Sequence, residues 1–246
     1  MSKGLVIIPT YNEAENIAAV MNRVLDIARN LDILIIDDNS QDGTRDIVRN
    51  VLKREPRVRL IERPSKLGLG TAYVLGFKYA LAHGYAFAFE MDADLSHDPD
   101  ELPKFVEEVK FYDLVIGSRY ISGVSVVNWP MKRLLLSFFA CLFARKVTGV
   151  PIRDLTSGFK CYSRRALEAV NWDDVKTNGY GFQIEADFRI YKAGLRVKEI
   201  PKIFVERRAG ISKMSRRIIW QAFWLVWKLR LASMFKNEFR RNHRKL

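Results

Sequence analysis

An α/β fold with a mostly parallel, Rossmann-like sheet flanked by helices is predicted by three features of this 246-residue chain. Up to Gly123, short continuous apolar runs alternate with segments of helical period, the pattern of buried parallel strands and their crossover helices. Polar, acid-rich segments follow directly on those runs, where the strand C-termini of such a sheet form a ligand-binding edge. Beyond Arg216 the sequence is basic and aromatic, which predicts basic amphipathic C-terminal helices.

The elements follow in order. Leu5–Pro9 is a short apolar run and reads as a strand. Ala14–Arg29 carries Ile17, Val20, Met21, Val24 and Leu25 at helical spacing. Ile33–Ile36 is a second strand, ending in Asp37 and Asp38. Gly43–Arg54 reads as a helix, Val58–Ile61 as a strand, Gly70–His83 as a helix and Ala86–Met91 as a strand. Asp100–Lys110 is a helix that starts after Pro99, and Leu114–Gly117 is a strand. Trp129–Val147 has helical period with basic and apolar residues. Ser157–Tyr162 reads as a strand and a helix starts at Arg164. Phe182–Lys192 is a helix, Arg196–Val205 a strand, Glu206–Lys213 a polar loop, and Arg216–Phe239 a long helix or helix pair.

Composition narrows the function classes. Hydrophobic residues make up 48% and charged residues 28%, which is globular rather than disordered. Two cysteines, Cys141 and Cys161, make neither a disulfide framework nor a four-cysteine zinc site, in keeping with a reducing compartment. The net charge is +13, yet twelve of the 41 basic residues and one of the 28 acids lie from Arg207 onward. A near-neutral body therefore carries a strongly basic end, suited to an anionic membrane surface or to nucleic acid. The N-terminal MSKGLVIIPTYNE lacks a signal-peptide pattern, and no apolar run reaches the length of a spanning helix.

Several common chemistries have no motif here. No GxGxxG follows the first strand, and neither GxxxxGK[ST] nor GxSxG occurs. Histidines 83, 97 and 243 are too scattered for a histidine-rich zinc site. What remains are the strand ends. Asp92-Ala93-Asp94 places two carboxylates after an apolar strand, hard oxygen ligands suited to Mg²⁺ or Mn²⁺ on a substrate phosphate. Read singly, such an acidic turn is more often solvated or a helix cap, and Asp98 and Asp100 around Pro99 read that way. The same holds for Asp37–Gly43 and Thr10–Glu13. Their convergence on one edge of one sheet reverses the balance.

PTYNE after the first strand, DDNSQDGT after the second, MDADLSHDP after the fourth and GSRY after the fifth resemble the family 2 glycosyltransferases of GT-A fold. NWPMKR, DLTSGFKCY, GYGFQIE and ERRAGISK extend the resemblance over roughly residues 4–213. It is closer still to the dolichyl-phosphate (polyprenyl-phosphate) mannose synthases. The resemblance implies a GT-A domain over 1–213, with a nucleotide-sugar half at 1–122 and an acceptor half at 123–213. A basic amphipathic membrane-interface tail at 214–246 follows. It implies that Pro9, Tyr11 and Glu13 line the nucleotide pocket, that Ile36 and Asp38 serve base and ribose, and that Asp92, Ala93 and Asp94 meet the donor, both aspartates at the metal. Arg119 would bind the lipid phosphate, with Arg133 as its second ligand and Lys132 as a competitor. Arg207 and Lys213 would close over the donor as a mobile loop. One departure that affects metal geometry is Ser96, a weak ligand where some relatives carry a stronger one.

The implied reaction is inverting transfer of mannose from GDP-mannose to dolichyl or polyprenyl monophosphate, with Asp94, Arg119 and Arg133 as catalytic residues and Mg²⁺ or Mn²⁺ as cofactor. A phosphate acceptor is already ionised near neutral pH, so no strong general base is needed. Glu185 and Asp187 are accordingly read as orienting groups. The implied location is peripheral, on the cytoplasmic face of a membrane, with room for a separate membrane subunit. A glucosyl- or N-acetylglucosaminyltransferase using a UDP-sugar is the alternative enzyme. A nucleic-acid-binding protein would use the basic tail but leaves the strand-end motifs unexplained, so no nucleic acid is expected.

Overall fold

The computed structural model describes residues 2–27, 29–127, 129–205 and 216–235. Its centre is a seven-stranded sheet in the order β3-β2-β1-β4-β7-β5-β8. The strands are β1 (Gly4–Thr10), β2 (Leu31–Asp37), β3 (Val58–Glu62), β4 (Phe87–Glu90), β5 (Leu114–Ser118), β7 (Lys160–Ser163) and β8 (Val197–Pro201). A separate two-stranded pair joins β6 (Val126–Val127) to β9 (Phe204–Val205). The helices are α1 (Ile17–Ile27), α2 (Thr44–Leu52), α3 (Leu69–Ala82), α4 (Leu102–Glu108), α5 (Met131–Thr148), α6 (Arg164–Ala169), α7 (Tyr180–Lys192) and α8 (Arg216–Phe235).

The pleat explains the layers. Along β1, Leu5 and Ile7 face a core shared with Tyr73, Phe77, Trp172 and Phe182. Val6 and Ile8 face the opposite core, with Ile17, Met21, Phe89 and Phe105. A strand buried on both faces has no polar side to show, hence its continuous apolar run. Strands β1 to β4 run parallel, as do β5 and β8, while β7 inserts antiparallel between β4 and β5. Strands from both sides of Gly123 thus enter one sheet. The strand order reverses between β1 and β4. That reversal opens a crevice at their C-terminal ends, where open α/β sheets bind ligands.

Four local expectations change. The β7 segment runs against its neighbours. The Arg196–Val205 stretch divides into β8 and β9, separated by Lys202 and Ile203. The first helix starts at Ile17 rather than Ala14, and a 3₁₀ turn over Pro99–Glu101 precedes α4. The last helix is described to Phe235, and the basic residues beyond it lie outside the described residues. Helix α5 ends at Gly149 (φ 71°), a left-handed position that glycine takes without strain. Helix α8 packs on α5 and α7, with Phe143 stacked on Phe223 at 5.1 Å.

Candidate active site at the strand C-termini

The β1 and β2 ends are tied into one platform. Asp37 is fully buried and accepts from Thr10 Oγ1 at 2.8 Å and from Ser40 N and Oγ at 2.8 and 2.6 Å. Ser40 Oγ in turn accepts from Asn12 N, and Thr44 Oγ1 accepts from Glu13 N. The polar loops at 10–13 and 37–44 therefore hold each other, which places Tyr11 and Glu13 at the crevice, while Pro9 lies within β1 in register with Ile36. Lys66 Nζ lies 3.7 Å from the Tyr11 ring centroid, a cation–π contact at the same rim.

Asp38 sits beside them in a buried pair with Arg63, and its Oδ2 accepts from Gly68 N at 2.9 Å. Arg63 also donates to Thr71 Oγ1 and the Gly68 carbonyl. The chain approaches closely here: a Cβ on Gly70 would lie 2.5 Å from the Thr177 carbonyl oxygen, so only glycine fits. The Ile36 expectation changes. Its side chain is fully buried with Leu34, Ala72 and Tyr73 because alternation along β2 turns it into the core, away from the edge.

The second platform is the β4 end. Leu95 has φ 60°, a left-handed conformation that costs a branched side chain roughly 1–2 kcal/mol. This tight turn folds Asp94 back, and its Oδ1 accepts from Ser96 N at 3.0 Å. Ser96 Oγ is buried and, among the described residues, has no hydrogen-bond partner. Asp92 is more open, with 28% of its side chain exposed. His97 Nδ1 accepts from Asp92 N at 3.0 Å, so the ring proton sits on Nε2, 3.8 Å from Asp92 Oδ2. Tyr73 OH donates to Asp92 Oδ1 at 3.4 Å. Burial, then the Asp92 charge, pushes the Tyr73 phenol well above its usual range, so it stays a donor.

These residues fit a divalent ion that shares its coordination with substrate. Among the described residues no group of three or more His, Cys, Asp or Glu could cage a metal alone. Two carboxylates on one turn, with the orphaned Ser96 hydroxyl beside them, suit a hard cation that keeps waters and substrate oxygens.

The third platform is basic. Arg119, after β5, donates from Nε and Nη2 to the buried Asp154 at 2.7 and 2.5 Å, and from Nη2 to Thr156 Oγ1. Burial disfavours charge on Asp154, but the Arg119 guanidinium outweighs it and holds the carboxyl below its usual range. The Arg119 carbon Cζ faces the rings of Tyr120, Trp129 and Phe204 at 5.3, 5.4 and 5.9 Å. Arg133 Cζ stacks 4.3 Å from the Trp129 ring. Trp129 and Arg133 line an apolar cavity of about 280 Å³ that runs between α5, α7 and α8 past Leu136, Phe143, Ile184 and Val226. Phe204 bridges the second and third platforms, with its ring 6.4 Å from His97 and 5.2 Å from Trp129.

The model of glycosyl transferase family 2 matches residues 5–170. The chain belongs to this family. It is 41% identical over 232 residues to undecaprenyl-phosphate mannosyltransferase of Micrococcus luteus, covering 94% of this chain and 96% of that one. It is 44% identical over 230 residues to polyprenol monophosphomannose synthase of Mycolicibacterium smegmatis, covering 92% and 87%. Among solved structures it resembles glucosyl-3-phosphoglycerate synthase of Mycobacterium tuberculosis with Mn²⁺ and UDP-glucose (TM-score 0.65, 17% identity, 94% of this chain and 78% of that one). It also resembles a mannosyltransferase of Pyrobaculum calidifontis with GDP-Man and Mn²⁺ (TM-score 0.58, 21% identity, 95% and 64%). At these identities the structural likeness is one of fold, GT-A.

For this family 2 chain, Tyr11, Glu13, Asp38, Asp92, Ala93, Asp94 and Arg119 follow strands whose C-termini share one edge, and Arg133 on α5 meets Arg119 across Trp129. Arg207 and Lys213 lie outside the described residues. Asp187 is fully buried 2.7 Å from Lys160, and burial pushes its carboxyl up to about 7. Glu185 accepts from Arg189 and Thr177. Both carboxylates therefore hold α7 in place. Glu90, fully buried, accepts from Tyr162 and Gln183 in the same layer.

Sequence reasoning missed Arg63, Asp154, Trp129 and Lys202. Lys202 is the most unusual. It is 2% exposed, and its Nζ lies 4.9 and 5.1 Å from the Phe159 and Phe204 ring centroids. Burial, reinforced by Arg119, lowers its amine to about 7. An unfolded lysine keeps its proton up to about 10.4. Between those values the unfolded chain binds more protons, so raising pH favours the fold. Lys202→Met is expected to raise the melting temperature, most at or below pH 7, with the gain vanishing toward pH 10.5. Melting curves across that range check it; a gain independent of pH would remove the buried-charge account.

Proposed function

We propose that this chain transfers mannose from GDP-mannose to a polyprenyl or dolichyl monophosphate with inversion at the anomeric carbon. The observation that carries the reading is the apolar cavity whose lining includes Trp129 and Arg133, joined through Phe204 to His97 at the end of the turn that bears Asp92 and Asp94. An isoprenoid chain suits the apolar wall, and its phosphate suits the two arginines. The names of the two bacterial relatives, matched at 41% and 44% identity over nearly the whole chain, support mannose and a polyprenyl phosphate.

In this reading Pro9, Tyr11, Glu13 and Asp38 receive the nucleoside, the last held in place by Arg63. A divalent cation, Mg²⁺ or Mn²⁺, at Asp92 and Asp94 would supply positive charge against that gathering on the departing diphosphate. Arg207 and Lys213 would close over the donor. Arg119 and Arg133 orient the acceptor phosphate for in-line attack. A phosphate monoester has its second pKa near 6, so its oxygen attacks without a general base. The apolar wall keeps water from competing for the sugar.

The acceptor also accounts for the surface beside the cavity. Leu135 and Phe139 on α5 and Trp224, Trp227 and Leu231 on α8 are exposed, with Lys132, Arg133, Lys228 and Arg230 in the same helices. No helix among the described residues is long and apolar enough to cross a membrane. Apolar and aromatic faces flanked by cations lie in the interface of anionic bilayers, and the cytoplasmic leaflet is the proposed location.

The test offers GDP-mannose or UDP-glucose to the chain with polyprenyl monophosphate in anionic vesicles and Mg²⁺ or Mn²⁺. Mannosyl lipid from GDP-mannose and co-sedimentation with the vesicles are expected. Product from UDP-glucose alone would move the chain to the other donor class, and no lipid product would end the acceptor reading.

A further inference from the structure

Trp129 stands where the two arginines of the basic platform meet. Its indole lies 4.3 Å from Arg133 Cζ and 5.4 Å from Arg119 Cζ, with Phe204 packed edge-on at 5.2 Å. Its Nε1 is buried and has no hydrogen-bond partner among the described residues. An indole N–H is a donor only, and when buried it usually finds an acceptor. The same chain shows the usual outcome at Trp172, whose Nε1 donates to the Leu167 carbonyl at 2.8 Å. A buried donor left unmade costs about 1–3 kcal/mol, which a bound ligand can recover. The missing partner must be an acceptor, and two guanidiniums against one indole select an anionic one. Trp129 also lines the apolar cavity, so that anion would be the head of an apolar chain.

We propose that Trp129 is a third binding residue for the acceptor phosphate, its Nε1–H donating to a phosphate oxygen held between Arg119 and Arg133. The proposal rests on the lipid-phosphate reading given above. The chemistry favours a neutral donor at this point. Two cations already orient the phosphate, and a third would draw charge from the oxygen that must attack. The indole faces both guanidiniums and holds a phosphate oxygen without adding charge.

Trp129→Phe keeps an aromatic face for both arginines and removes the N–H. It is expected to raise KM for polyprenyl phosphate about ten- to hundred-fold, the range of a hydrogen bond to a charged group. KM for GDP-mannose should stay as in the wild type, and the melting temperature should not fall, since the variant also removes the unmade donor. A second measurement needs no variant. The chain has five tryptophans, and the assigned indole N–H signal of Trp129 should move downfield on titration with farnesyl phosphate and stay put with GDP-mannose alone. An unchanged lipid KM in Trp129→Phe, or an indole signal indifferent to saturating farnesyl phosphate, overturns the proposal while wild-type turnover keeps the acceptor reading. Failure of the wild type to use any polyprenyl monophosphate removes that reading, and the proposal with it.

Discussion

Asp94→Asn is expected to lower turnover by about three orders of magnitude while leaving the fold and its melting temperature intact. The asparagine keeps an oxygen for Ser96 N, the bond that holds the Leu95 turn at 3.0 Å in the wild type. It loses the negative charge. Asp94 is 8% exposed, so water screens that charge little, and among the described residues no third carboxylate is grouped with it to take its place. Removing one preorganised electrostatic contact to a developing charge costs about 10²–10³ in rate, and loss of half of a carboxylate pair belongs at the upper end. Transfer measured against added Mg²⁺ or Mn²⁺ checks this. If Asp94→Asn retained more than a tenth of wild-type turnover at saturating metal, the assignment of Asp94 to the ion would end.

Arg119→Ala is expected to act first on the fold. Asp154 is fully buried, and Arg119 supplies it with two side-chain bonds, at 2.7 and 2.5 Å, and a backbone bond at 2.9 Å. Alanine leaves that carboxylate with the backbone N–H, a long contact from Thr156 and a weak one from the Cys141 thiol. Stripping one partner from a buried ion pair costs about 3–5 kcal/mol, or roughly 6–20 °C in melting temperature for a chain of this size. The pH dependence has a definite sign. In the wild type Asp154 is held below its usual range, so its pairing stabilises at neutral pH and is lost as pH falls through that lowered value. In the variant, protonation relieves an unpaired charge, so the deficit is largest near pH 7 and shrinks toward pH 4. A deficit flat across that range would mean that Asp154 does not change protonation state there in either protein, and would end the account of an unpaired charge relieved by acid. Arg119→Lys keeps the charge and isolates the part of the loss owed to bidentate geometry.

Much of the candidate site was legible because it follows strands whose signal is local. Each apolar run is short, is buried on both faces and ends in residues that cannot continue it. Thr10–Glu13, Asp37–Asp38, Asp92–Asp94 and Ser118–Arg119 therefore fall on one edge by their place in the sequence alone. The direction of the Ile36 side chain is equally local: alternation along β2 turns it inward, so only its backbone is left to face the edge. The direction of β7 was not legible at all, since Lys160–Ser163 reads the same whichever way it pairs.

The succession of strands and helices along the chain, their approximate limits, the acidic turn after β4 and the basic aromatic end were determined by the sequence alone, because each depends on residues within a dozen positions of one another. The partners of those residues were decided only by the tertiary structure. Asp154 meets Arg119 across 35 positions, Arg63 meets Asp38 across 25, and Lys202 enters the space between Phe159 and Phe204. In the sequence Lys202 is one more cation near a strand end, and Trp129 is an aromatic residue before a helix. The fold buries the first and, among the described residues, gives the N–H of the second no acceptor beside its two arginines. Burial and partnership, which set a charge or direct a donor, are properties of distant segments brought together.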